Sequence, residues 1–160
     1  MDLDKLKDKG FKIITYWQDI DKKSIFLIDS ADIKKFTKYN KIAQKKKCKF
    51  IICSDKFKNF SNKNEIKYFY YKNKKDLEKI AKIFYNFNNI KIIFVTGTNG
   101  KTSVAYGANK LFNINGKKSC YIGTLGFYIN SKKIKNLNNT TPSYFEILNL
   151  ITIASKNNIK

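Results

Sequence analysis

The run Ile90, Ile92, Ile93 and Phe94 leads directly into VTGTNGKTS at residues 95–103, and no other stretch restricts the possible folds so sharply. Its near-continuous apolarity predicts a strand over residues 90–95 covered on both faces, as parallel strands are, and parallel strands are joined by helical crossovers. A strand that turns through two glycines into a helix is an α/β arrangement. The same turn specifies a chemistry. A backbone that wraps an anion needs residues tolerant of unusual dihedrals, here Gly97 and Gly100, and free N–H groups at a helix start. Lys101 adds a point charge suited to β- and γ-phosphates, and Thr102 carries a hydroxyl of the kind that ligates Mg²⁺. Gly97, Thr98, Asn99, Gly100, Lys101, Thr102 and Ser103 therefore form the candidate nucleotide site, with Lys101 the catalytic candidate and Thr102 the metal candidate. The general Walker spacing would put glycine at Val95, so TGTNGKT is a narrower variant of that pattern.

Helical and strand periods alternate along the rest of the chain. Residues 2–9 predict a short polar helix and residues 24–28 a strand. Ile33, Phe36, Ile42 and Ala43 share one face of a helix over 31–47, followed by a strand over 50–53, a polar loop over 55–64 and an aromatic strand over 66–71. Leu77, Ile80, Ala81 and Phe84 are spaced for an amphipathic helix over 74–86, and the asparagine-rich stretch 86–89 marks a boundary. Beyond the glycine turn come a helix over 101–112, a turn at Asn115 and Gly116, a strand over 119–123, and a hairpin of 127–129 with 133–134. A last helix over 143–155, entered at Pro142, buries Ile147, Leu150, Ile151 and Ala154.

Composition reflects an AT-rich coding source more than a specialised binder. The formal charge is +21, yet lysine supplies every basic residue, and the lysines are spread over all segments rather than gathered in one stripe. The lack of arginine removes the side chain best suited to bidentate phosphate or guanine recognition. Aromatics interleaved with lysines, above all Tyr68, Phe69, Tyr70 and Tyr71, could stack on single-stranded nucleic acid, but strands use Tyr and Phe freely as core and edge residues. Cys48, Cys53 and Cys120 have no metal-ligand spacing and no histidine to assist them, which predicts reduced cytoplasmic thiols. The charged start MDLDKLKDKG and the absence of a long apolar stretch predict no membrane anchor and a cytoplasmic location.

Two later segments extend the pattern: GTLG, with Gly123, Thr124, Leu125 and Gly126, and NNTTPS, with Asn139, Thr140, Thr141 and Pro142. Glycine loop, GTLG and NTTP in that order resemble the Mur ligases, the ATP-dependent amide-forming enzymes of peptidoglycan synthesis. The likeness is greatest to the members that add the third residue to UDP-N-acetylmuramoyl-L-alanyl-D-glutamate. Sibling ligases and folylpolyglutamate synthetase share the loop but not, as a rule, the later pair. The resemblance is strong over 89–160 and weak over 1–88. It implies a small N-terminal α/β domain for the UDP-substrate over 1–88, then the start of a mostly parallel-sheet, P-loop central domain over 89–160, in a chain expected to be a truncated portion of a longer ligase and inactive alone.

Roles follow from the resemblance position by position. Gly97 to Ser103 would hold ATP, with Lys101 neutralising charge as the γ-phosphoryl group moves to a carboxylate and Thr102 on Mg²⁺. Asn139, Thr140 and Thr141 would contact the UDP-N-acetylmuramoyl-dipeptide, although a loop capping the next helix also explains NNTTPS. The reaction implied is an acyl phosphate attacked by the amine of an amino acid, diaminopimelate and lysine both being open, in a monomeric enzyme with no membrane or nucleic-acid partner. The family's Ser–Arg pair near the uridine lacks its arginine here: the corresponding stretch reads Tyr16, Trp17, Gln18, Asp19, Ile20, and a second possible match, Asp29 to Asp32, lies too close to the next helix for the family's spacing. The alternative is a stand-alone basic nucleotide- or nucleic-acid-binding module with a P-loop.

Overall fold

Unbroken apolar runs such as SIFLI and FIICS need cover on both faces, and the first part of the chain supplies it. The computed structural model describes residues 2–60, 65–85, 87, 90–137 and 142–159, and the chain divides into two compact units, Met1–Asn86 and Phe87–Lys160. In the first unit β1 (Lys12–Ile14), β2 (Ser24–Ile28), β3 (Phe50–Ser54) and β4 (Lys67–Tyr71) form a sheet in that order, every pair parallel. All residues of β2 and β3 are buried. Phe26, Ile28, Ile51 and Cys53 meet Phe36 and Ala43 of α2 (Ile33–Lys45) on one face, while Ile25 and Leu27 on the other are equally buried. The remaining helices, α1 (Leu3–Asp8) and α3 (Lys74–Phe84), pack against each other. Each of the three helices starts at a residue whose side chain accepts a backbone N–H: Asp2, Asp32 and Asn73. Such caps contribute about 1 kcal/mol apiece.

Three details differ from the sequence reading. β1 and a 3-10 turn at Trp17–Asp19 were not expected, because three residues of strand are too few to carry a period. The polar loop begins as a 3-10 helix, Asp55–Phe60, since Phe57 is buried and stacks on Phe36 with centroids 4.3 Å apart; residues 61–64 lie outside the described set. Ile33 is exposed, and the buried stripe of α2 is Phe36, Asn40 and Ala43.

The second unit contains α4 (Lys101–Ile114), β5 (Cys120–Gly123), β6 (Gly126–Ile129), β7 (Lys132–Lys135) and α5 (Tyr144–Lys156). β5, β6 and β7 form an antiparallel meander, and its core gathers Phe127 and Ile129 with Leu150, Ala154 and Ile159. The expected strand over 90–95 does not form: no ladder includes these residues, and Ile93 is 72% and Phe94 82% exposed. The run is apolar enough for a doubly covered strand, but the described strands of this unit are antiparallel and offer it no parallel neighbour. The parallel sheet of the α/β fold lies in the first unit. No described helix is long and apolar enough to cross a membrane.

Candidate functional site

Residues 97–100 make the bend between the apolar run and α4. Gly97 has φ +143° and Gly100, the residue before the first helical turn, has φ +77°; both are conformations that side chains resist. No side chain caps α4, so the N–H groups of its first turn are available to an external acceptor. From that turn the Lys101 ammonium folds back over the bend, donating to the carbonyls of Gly97 and, at 3.0 Å, Thr98. The sequence-predicted residues of the loop are thus brought together at an exposed bend, where the Lys101 ammonium lies over the loop carbonyls and Thr102 stands in the first turn of α4.

What holds α4 in place is a stripe that hydrophobic periodicity does not reveal. Thr102, Tyr106, Asn109 and Asn113 recur at helical spacing and face the β5–β6 hairpin. The Thr102 hydroxyl lies 3.4 Å from that of Thr124. Tyr106 packs edge-on against Tyr121 and Tyr128, with centroids 5.4 and 5.2 Å away. Buried Asn109 donates to the Asn130 carbonyl at 3.0 Å and accepts from the Ser119 hydroxyl at 2.8 Å. Meanwhile the helix's apolar residues Val104, Leu111 and Ile114 point to solvent. Apolar periodicity does not mark Tyr106 or Asn109; the i, i+4, i+7 recurrence of Thr102, Tyr106 and Asn109 is the signal the sequence carries.

GTLG forms the hairpin tip. Gly123 pairs with Gly126 across Thr124 and Leu125, and the Tyr121 hydroxyl accepts the Leu125 N–H at 3.5 Å. A Cβ on Gly126, whose φ is +115°, would stand 2.6 Å from the Lys135 carbonyl oxygen. Asn139, Thr140 and Thr141 lie outside the described residues. On their two sides, Leu137 packs against the core of the unit and Ser143 caps α5 by accepting the Glu146 N–H.

Elsewhere the candidates are occupied by the fold itself. Tyr68 donates to Asn40 at 2.8 Å and Tyr71 to Asp29 at 2.9 Å, while Lys58 and Lys67 lie over the rings of Tyr70 and Phe69. Lys46 sits 5.4 Å from the Trp17 ring centroid and donates to the Gln18 carbonyl at 3.1 Å. Burial pushes the thiols of Cys48, Cys53 and Cys120 up, Cys53 to about 12, which disfavours the thiolate a nucleophile requires.

Magnesium, which the resemblance implies, usually keeps substrate phosphates and few protein ligands rather than an all-protein cage. The donors present fit that habit. One hydroxyl, Thr102, stands at the helix start, and no group of three Asp, Glu, His or Cys gathers among the described residues.

Residues 95–160 match the Mur ligase middle domain, and the resemblance read from the three motifs is borne out. The chain is 36% identical over 110 residues to the UDP-N-acetylmuramoyl-L-alanyl-D-glutamate--2,6-diaminopimelate ligase of Buchnera aphidicola subsp. Baizongia pistaciae (strain Bp), covering 66% of this chain and 22% of that one. It is 40% identical over 76 residues to the enzyme of the same name from Clostridioides difficile (strain 630), covering 46% of this chain and 16% of the relative. The UDP-N-acetylmuramoyl-L-alanyl-D-glutamate--L-lysine ligase of Staphylococcus haemolyticus (strain JCSC1435) is 40% identical over 81 residues, 49% of this chain and 16% of its own length. The matched segments thus span less than a quarter of these relatives.

Proposed function

We infer that this chain carries the ATP-phosphate cradle of a cytoplasmic ligase that adds the third amino acid to UDP-N-acetylmuramoyl-L-alanyl-D-glutamate in peptidoglycan synthesis. The observation that carries the reading is the uncapped start of α4 behind a left-handed glycine, with the Lys101 ammonium folded over the loop. Phosphoryl transfer is mostly positioning and charge stabilisation, and these groups supply both. The N–H groups of residues 97–103 orient the phosphates, and Lys101 exchanges its loop carbonyls for phosphate oxygens and offsets their charge. Thr102 would hold magnesium through its hydroxyl, and the ion would supply further positive charge against the phosphates. The substrate carboxylate takes the γ-phosphoryl group, and the amine of the incoming amino acid then displaces phosphate to form the amide. Asn139, Thr140 and Thr141 are the proposed contacts to the UDP-muramoyl dipeptide.

ATP titration of wild-type chain and Lys101→Ala, with and without magnesium, tests the reading. Losing a charge-assisted contact of about 1.5–3 kcal/mol should weaken magnesium-dependent ATP binding by roughly 10- to 100-fold. Affinity for single-stranded polyanions that ignores Lys101 and collapses with salt, alongside no ATP binding, would overturn it in favour of a basic nucleic-acid-binding module.

A further inference from the structure

Thr124 has no part in the reading above, yet its hydroxyl is the acceptor placed against Thr102, 3.4 Å away. The hairpin holds it there by design of its neighbours. Tyr121 is buried between Tyr106 and Tyr128 and accepts the Leu125 N–H, so the ring that braces α4 also braces the tip. Gly123 leaves room for that ring, since a Cβ there would stand 2.5 Å from the Tyr121 hydroxyl oxygen. Gly126 lets β6 pass close to the Lys135 carbonyl. Neither Thr124 nor Leu125 has a positive φ, so the turn itself makes no demand for threonine. Three members of GTLG are thus accounted for by packing or exposure, and the threonine by its hydroxyl.

A hydroxyl that ligates a cation presents an oxygen lone pair to it and must send its proton elsewhere. Thr102 donates to Thr124, which leaves its lone pairs free for the loop side. We propose that Thr124 is a positioning residue that accepts the Thr102 hydroxyl's hydrogen bond and so orients the Thr102 oxygen toward the magnesium ion that accompanies ATP. The inference rests on the phosphate reading of residues 97–103. Outer partners of metal ligands commonly change metal affinity by 10- to 100-fold, and a single long hydrogen bond belongs at the low end of that range.

The test is the ATP affinity of the full 160-residue chain, measured by calorimetry with magnesium and with chelator, for wild type, Thr124→Val and Thr124→Ser. The valine variant keeps the branched shape and loses the acceptor. It should lose about tenfold of the affinity gained on adding magnesium, while magnesium-free affinity stays within about twofold and serine restores the gain. Equal losses with and without magnesium, or failure of serine to rescue, would mean a structural role and overturn the proposal. A valine variant indistinguishable from wild type would overturn it too. A wild type with no magnesium-dependent ATP binding would instead defeat the phosphate reading beneath it.

Discussion

Replacing Asn109 by alanine should loosen α4 selectively. The side chain is 3% exposed and makes two bonds, 3.0 Å to the Asn130 carbonyl and 2.8 Å from the Ser119 hydroxyl. Ser119 retains contacts to the Asn109 carbonyl and to Asn113, so the cost of a stranded partner falls chiefly on Asn130. Two net hydrogen bonds of about 1 kcal/mol each, plus part of one desolvation penalty, give a loss of about 2–3 kcal/mol. Hydrogen exchange of α4 and β5–β6 peptides, read by mass spectrometry under conditions that report equilibrium opening, should then accelerate roughly 30- to 150-fold. Peptides of β2 and β3, in the other unit, should be unaffected. Acceleration below about threefold in α4, or equal acceleration in both units, would refute the claim that this asparagine anchors the helix.

Gly126→Ala combines a φ of +115° with a Cβ 2.6 Å from the Lys135 backbone oxygen and should destabilise the second unit by at least about 2 kcal/mol, whereas Gly107→Ala, mid-helix with open space around it, should stabilise by about 0.5–1 kcal/mol; urea midpoints decide both. The Cys53 thiol ionises near its ordinary 9.0 when unfolded but only at about 12 in the fold, so its contribution is intact below pH 9 and falls as pH rises toward the native value, by up to about 1.4 kcal/mol per unit. Cys53→Ala should therefore show a flatter loss of stability between pH 9 and 10 than wild type, and parallel curves would contradict the assignment.

Elements whose partners lie in the same unit were legible from residue spacing. The runs at Ile25 and Ile51 announced buried strands because both faces are covered by neighbouring helices and strands. Leu150, Ile151 and Ala154 announced the inner face of α5 for the same reason. Residues 90–95 carry an equally strong signal that no described strand answers, so apolarity alone overstated the ladder there. The candidate loop was readable because Gly97, Gly100 and Lys101 are demanded by geometry and charge, which leave a mark on composition. The docking of α4 was not readable as a pattern of apolar residues, because Thr102, Tyr106, Asn109 and Asn113 make it through hydroxyls, rings and amides.

That amide-and-ring seam bears on how such a chain tolerates its coding bias. Asparagine and tyrosine are spelled with A- and T-rich codons, so the drift that filled this sequence with lysine and isoleucine presses no replacement on Asn109, Asn130 or Tyr106. A joint built from alanine, whose codons all begin with G and C, would be exposed to the same pressure. The helix behind the glycine bend is thus fastened with the letters a shrinking nucleotide alphabet keeps.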